Sequence, residues 1–237
     1  MSPEQQREVV YQLQRHGMIG KADIALRPIQ VTPFDKPADF ENWPAEQQNK
    51  FYAQNAKSNV NRGMKATGLG PGNQIHSKAD KARAQAALQT INWIRNTANE
   101  YGPNRANLAL KAGAGNCGEM ALLSKDFIGS SGGRAYEWQA SGAHAFTVVG
   151  GPSTLPSGTV DFSEAAWKDA WIVDPWADIA CPAREYTQKL KEVMTQWERK
   201  HIKILEGEKT ISPLDDTWIA NLITKPKTPF SHGYSGA

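Results

Sequence analysis

The chain is poor in cysteine: only Cys117 and Cys181 occur among its 237 residues. Two thiols cannot build a disulfide framework, and with no C-x-x-C pair there is no structural zinc motif. A single Cys117–Cys181 bridge is the bland alternative, and a chain of this length does not need one to hold a core together. Long apolar runs are also missing. None approaches the roughly 20 residues that a membrane-spanning helix requires, so no membrane span is expected. The start, MSPEQQREVV, is charged and amphipathic, whereas a secretory signal is basic and then apolar. The expectation is cytoplasmic residence, or export by a non-classical route into a target cell. Concentrated charge is absent as well. The net charge is +3, with mild basic clusters only at ERKHIK and KPK. A nucleic-acid partner demands a basic stripe, and none is expected here.

What is present is an ordinary globular composition, 40% hydrophobic and 22% charged. The pattern divides into an N-terminal extension at 1–76, a core at 77–224 and a tail at 225–237. In the extension, SPEQQREVVYQLQRHG predicts a helix, 20–43 an extended proline-containing arm, PAEQQNKFYAQNAKSNV a second helix and NRGMKATGLGPGNQIH a glycine-rich connector. An ordinary packed arm and a substrate- or partner-contacting one are both compatible with that composition. The core begins at SKAD, which has capping-box form, and Ala84, Leu88, Ile91, Ile94 and Ala98 then recur at helical spacing. PNRANLALKAGAG reads as a loop. CGEMALLSKDFI follows as a helix with Met120, Leu123 and Phe127 on one face, Asn116 as N-cap and Glu119 at N3.

The alternation in RAYEWQA and HAFTVVGG, separated by the short SGA turn, predicts a β-hairpin. WIVDPW is a third strand halted at Asp174-Pro175. PAREYTQKLKEVMTQWERKHIKIL is a long helix with Tyr186, Leu190, Val193 and Trp197 on one face. The tail lacks apolar periodicity. The fold class is therefore α+β, with an antiparallel sheet.

Cys117 opens a helix, and unpaired N–H groups and the positive dipole end favour a thiolate at such a position. Gly115 and Gly118 leave clearance around the sulfur, and N–H groups at Gly118 could hold an oxyanion. His144 opens a strand directly after a tight turn, where it can act as general base and acid. Asp174 ends the neighbouring strand, where it can orient the imidazole. Each has a bland reading too: a buried cysteine as a small hydrophobe, a strand histidine as structural, an Asp before Pro as a turn former. Together they outweigh it, because His16, His76, His201 and His232 have no comparable setting. Asn116 or Trp176 are further candidates for oxyanion or substrate contact, Asn116 being equally suited to a plain N-cap.

GNCGEMALL, then HAFTVV, then WIVDPW resembles the Cys-His-Asp pattern of the transglutaminase-like and papain-like cysteine enzymes, over about residues 77–200. That resemblance implies a helix carrying Cys117 packed on an antiparallel sheet carrying His144 and Asp174. It also implies chemistry on protein carboxamides through a thioester, without cofactor or metal. The closest flavour is of bacterial effectors and toxins that deamidate or transamidate glutamine, or cleave peptides, in target-cell proteins. Papain-like enzymes carry an oxyanion glutamine a few residues before the cysteine. Here ANLALKAGAGN has none, which tilts the expectation toward deamidation, with a cysteine protease as the alternative.

Four other readings compete. GAGNCG matches the G-x-G-x-x-G dinucleotide cradle, with Glu137 about where a ribose-binding acid would stand. Its leading segment LALKA is a weak strand, and the hairpin that follows is not a βαβ crossover. GSSGG has the G-x-S-x-G form of a serine elbow but follows a helix, where that motif needs a strand. A metal site from Cys117, His144, Asp174 and Cys181 has suitable donors but no local ligand pairing. The last alternative is a non-catalytic binding module on the same fold.

Overall fold

The computed structural model describes residues 31–66, 68–97, 103–140, 144–154, 156–207, 209–224 and 227–230. The helix expected over 2–16 and the SGA turn lie outside them. Among the described residues the first long element is α1 (Ala45–Lys65). Its sequence is polar, yet Tyr52, Ala53, Ala56, Val60 and Met64 form a narrow buried stripe of mostly small side chains. That stripe packs against the helix that begins at Cys117 and against two strands of the main sheet. The segment expected to be a less core-like extension thus contributes directly to the core, with Phe34 and Phe40 packed around Tyr52.

A short strand β1 (Gln74–Ile75) precedes α2 (Lys81–Thr97). The expected SKAD start is a 3-10 turn over Lys78–Asp80, and Ser77 makes no side-chain capping bond. Next comes a correction: the stretch read as a loop is helix α3 (Pro103–Ala112). Proline at the first helical position is pre-set for that conformation, and the alanines and leucines after it are strong helix formers. Gly113, at φ 59°, closes α3, and its carbonyl accepts from Gly70 N at 2.8 Å. Helix α4 (Cys117–Ser130) starts four residues after Gly113, where expected.

The hairpin pairs β2 (Ala135–Ala140) with β3 (His144–Val149), with Ala140 opposite His144. Then β4 (Trp171–Asp174) lies along β3, and β5 (Ile179–Pro182) along β4, both antiparallel. Helix α5 (Tyr186–Arg199) follows. It is shorter than expected, because the chain turns at His201 into β6 (Lys203–Glu206) and β7 (Lys209–Ile211). Helix α6 (Asp216–Ile223) and strand β8 (Lys227–Pro229) complete the order, the latter inside the region expected to be a structureless tail. The main sheet runs β5-β4-β3-β2-β8, and a small second sheet runs β1-β6-β7. The fold is mixed α+β with antiparallel sheets. Among the described residues no helix is long and apolar enough to cross a membrane.

Side-chain alternation assigns the layers. Thr147 Oγ1 donates to Ala121 O at 2.7 Å, so the Ala145–Thr147–Val149 face of β3 meets α4. Phe146 lies on the other face, and its ring sits 4.7 Å from Tyr186 at the start of α5. Trp138, Phe162 and Trp167 continue that second aromatic layer. The sheet is therefore buried on both sides, which explains why every residue of β3 is buried.

Candidate active site

Cys117 owes its position to the way α4 begins. The Glu119 carboxylate reaches back to accept from Asn116 N at 3.0 Å, which is the glutamate half of a capping box. The Asn116 side chain reaches outward too: its Oδ1 accepts from Gly72 N at 3.0 Å and Asn73 N at 3.1 Å, tying the 70–74 segment to the helix start. Gly115 corrects the clearance expectation. A Cβ there would stand 2.8 Å from Glu119 Cβ, so the missing side chain makes room for Glu119 rather than for a substrate. Gly118, half-buried beside Cys117, faces Arg105 Nη2, which would lie 3.4 Å from an added Cβ.

GAGNCG, the dinucleotide alternative, connects helix α3 to helix α4, and the hairpin β2–β3 follows it. Without a leading strand and a parallel crossover there is no βαβ cradle, so that reading is withdrawn. GSSGG closes α4. Ser131 Oγ accepts from Phe34 N at 2.9 Å and donates to Phe127 O at 2.8 Å, a buried structural role.

His144 and Asp174 are brought together. The register that pairs Thr147 with Val173 places Asp174 one step further on, opposite Phe146 and diagonal to His144 on the same face. The imidazole Nε2 lies 2.7 Å from Asp174 Oδ2, and both side chains are fully buried. Asp174 accepts two more bonds, from Tyr186 Oη at 2.9 Å onto the same Oδ2 and from Ala177 N at 3.2 Å onto Oδ1. With Nε2 committed to Asp174, the ring nitrogen left for the thiol is Nδ1. Among the described residues Nδ1 has no aligned hydrogen-bond partner, yet Cys117 is close enough to act on the imidazole's charge.

Electrostatics favour the charged imidazole. Burial works against it, but the Asp174 carboxylate, by charge and hydrogen bond, and then Cys117 raise the His144 pKa from 6.5 to about 10. Because the folded value is raised, the stabilisation is fully present below about pH 6.5 and is lost as pH rises through about 10. Wild-type stability, measured by urea unfolding, is therefore expected to decline across that window, whereas His144→Gln should lack this part of the decline. Equal slopes for the two proteins would refute the charge assignment.

Trp176, on the β4–β5 turn, lies over this pair with its ring 4.9 Å from the imidazole. It is wedged against Trp197 of α5, its Nε1 donates to Asn73 Oδ1 at 2.8 Å, and its carbonyl accepts from Gln74 Nε2 at 2.7 Å. Asn116 and Trp176, expected as oxyanion or substrate contacts, are thus linked through Asn73. Trp176 also borders a cleft of about 380 Å³ shared with Met64, Leu69, Met120 and Trp197.

Sequence reasoning missed Tyr186 as a partner of Asp174, and missed Arg95 and Arg105, which clasp Glu119. Tyrosine on the apolar face of α5, where phenylalanine would pack equally well, was the available signal for the first. Among the described residues no group of three or more His, Cys, Asp or Glu side chains is placed to hold a metal ion. Cys181 is a free, buried thiol on β5. Burial first, then the nearby charges of Glu185 and Asp174, push its pKa up to about 12. Compared with family models, curated proteins and solved structures, the chain matches none.

Proposed function

We propose that the protein is a thiol-dependent enzyme acting on protein carboxamides, a glutamine deamidase or transglutaminase-like acyltransferase on a papain/transglutaminase-like core, of bacterial effector or toxin type. Cys117 is the nucleophile, His144 the general acid and base, and Asp174 the orienter. The observation that carries this reading is the fully buried 2.7 Å His144–Asp174 pair, with the half-buried thiol of Cys117, at the start of α4, close enough to help hold the imidazole's charge.

The chemistry begins with transfer of the Cys117 thiol proton to His144, which leaves a thiolate beside an imidazolium. The sulfur attacks the carboxamide carbon and the carbonyl π electrons move to oxygen, where N–H groups of the α4 start can meet the negative charge. The oxyanion collapses as the C–N bond breaks, and the imidazolium N–H protonates the departing nitrogen, releasing ammonia and leaving a thioester. Neutral His144 then takes a proton from water, or from an amine, as that group attacks the thioester. Collapse expels the thiolate and restores its pairing with the imidazolium. Asp174 keeps the ring oriented through both transfers.

Iodoacetamide at neutral pH tests the first requirement, a reactive sulfur. Cys117 is expected to alkylate at least about tenfold faster than Cys181, which is buried and protonated. The two sites are separated by peptide mass mapping. Equal, slow labelling of both would favour a non-catalytic binding module instead.

A further inference from the structure

We infer that Tyr186 is a positioning residue of this site, setting through Asp174 how tightly the His144 imidazolium is held. This rests on the Cys117–His144–Asp174 reading above. Three donors meet the buried Asp174 carboxylate, and they are unequally distributed. Ala177 N binds Oδ1, while Tyr186 Oη and His144 Nε2 both bind Oδ2. The terminal torsion of an aspartate is broad, so a single donor would leave the carboxylate plane loosely set. A backbone N–H on one oxygen and a hydroxyl on the other fix that plane independently of the histidine.

The hydroxyl is itself held firmly. Tyr186 is fully buried at the first position of α5, and its ring packs 4.7 Å from Phe146, two residues along β3 from His144. A buried tyrosine needs an acceptor for its O–H, and packing alone would satisfy it with any carbonyl. Here the acceptor is the one oxygen that also binds the imidazole. Tyr186 O–H and His144 N–H therefore share the same negative charge, and donation by one weakens the hold on the other. The groups facing the imidazole are Asp174 from β4, Cys117 from α4 and the Trp176 ring. Cys181 from β5 and Cys117 also act on the Tyr186 hydroxyl.

The chemical consequence concerns both proton transfers. If the whole charge of Oδ2 faced Nε2, the imidazolium would give up its proton to a leaving nitrogen less readily. Tyr186 relaxes that hold while keeping the carboxylate in place.

The test is the titration of His144, followed by NMR of the ring protons in wild type and Tyr186→Phe. Removing the hydroxyl should raise the His144 midpoint by about half a unit to one unit, the scale of one charge-assisted hydrogen bond partly compensated by relaxation. An unchanged midpoint, or one that falls, would overturn the positioning role and leave Tyr186 as core packing. Should Tyr186→Phe fail to fold, wild type alone decides. The Tyr186 hydroxyl proton, shielded from solvent, should shift in step with the His144 titration, and a resonance indifferent to it overturns the inference. Failure of the enzyme reading is seen separately, as slow iodoacetamide labelling of Cys117 in wild type, whatever the titration gives.

Discussion

Cys117→Ala is expected to lose all detectable turnover, a fall of at least about a thousandfold, while keeping the fold. The reaction needs the sulfur to form the thioester, and Asp174 and Tyr186, the other groups described around the His144 ring, are engaged with each other. Stability should change little. Cys117 is only half-buried, and it is the first residue of α4, a position that alanine fills readily. The measurement is intact-mass spectrometry of target-cell proteins after exposure to wild type and to the variant. Wild type should add about one dalton per site if water resolves the thioester, or a larger adduct if an amine does. Peptide fragments in place of either would move the assignment to a cysteine protease with the same triad. A Cys117→Ala protein as active as wild type would end the proposal.

The helix start at Cys117, the strand start at His144 and the strand end at Asp174 were legible because each is a local boundary that sequence marks clearly. Asn116 and Glu119 announce a helix start, the HAFTVV alternation follows a turn, and Asp174-Pro175 ends an apolar run. Each boundary depends on neighbours within a few residues, the range over which propensity and capping operate. What could not be read is what tertiary packing supplies. Tyr186 reaches Asp174 only because β5 runs back along β4 and α5 then begins with its first ring against Phe146 of β3. The core role of α1 is hidden by its polar composition, since its buried stripe is narrow and three of its five side chains are alanine or valine. The short strand β8 pairs with β2 through three residues, too few for an alternating pattern.

The misreading of α3 has a different cause. Pro103 and the ANLALKA run were adequate helix signals, but the glycines after them suggested a longer loop. Those glycines serve chain geometry: Gly113 turns the chain out of α3 with a positive φ, and Gly115 leaves space for Glu119. The motif that resembled a phosphate cradle is a tight link between two helices. Its spacing is set by the need to bring Glu119 back beneath Asn116.

That placement makes Glu119→Ala the substitution with the largest expected cost in stability, about 3 kcal/mol. As a capping residue alone, Glu119 would contribute only about 1 kcal/mol. The structure assigns it more. Its side chain is fully buried, with Oε1 bound by Arg95 Nε at 2.9 Å and Arg105 Nε at 2.8 Å, and Oε2 by Arg95 Nη2 at 3.1 Å and Asn116 N at 3.0 Å. Burial opposes ionisation here, but the hydrogen bond from Arg95 and the charges of both arginines hold the carboxyl below its ordinary range. Removing it strips the carboxylate from Arg105, whose side chain is 12% exposed, and leaves Asn116 N without its acceptor. The Arg95 side chain is 37% exposed, so its share is discounted to the scale of a surface pair, which is why the figure stays at the low end for broken buried pairs. Glu119→Gln preserves volume and one acceptor and should cost roughly half as much. Urea unfolding of both variants at pH 7 measures the difference. A loss for Glu119→Ala of about 1 kcal/mol or less would mean that the capping bond alone matters and that the two arginines add nothing.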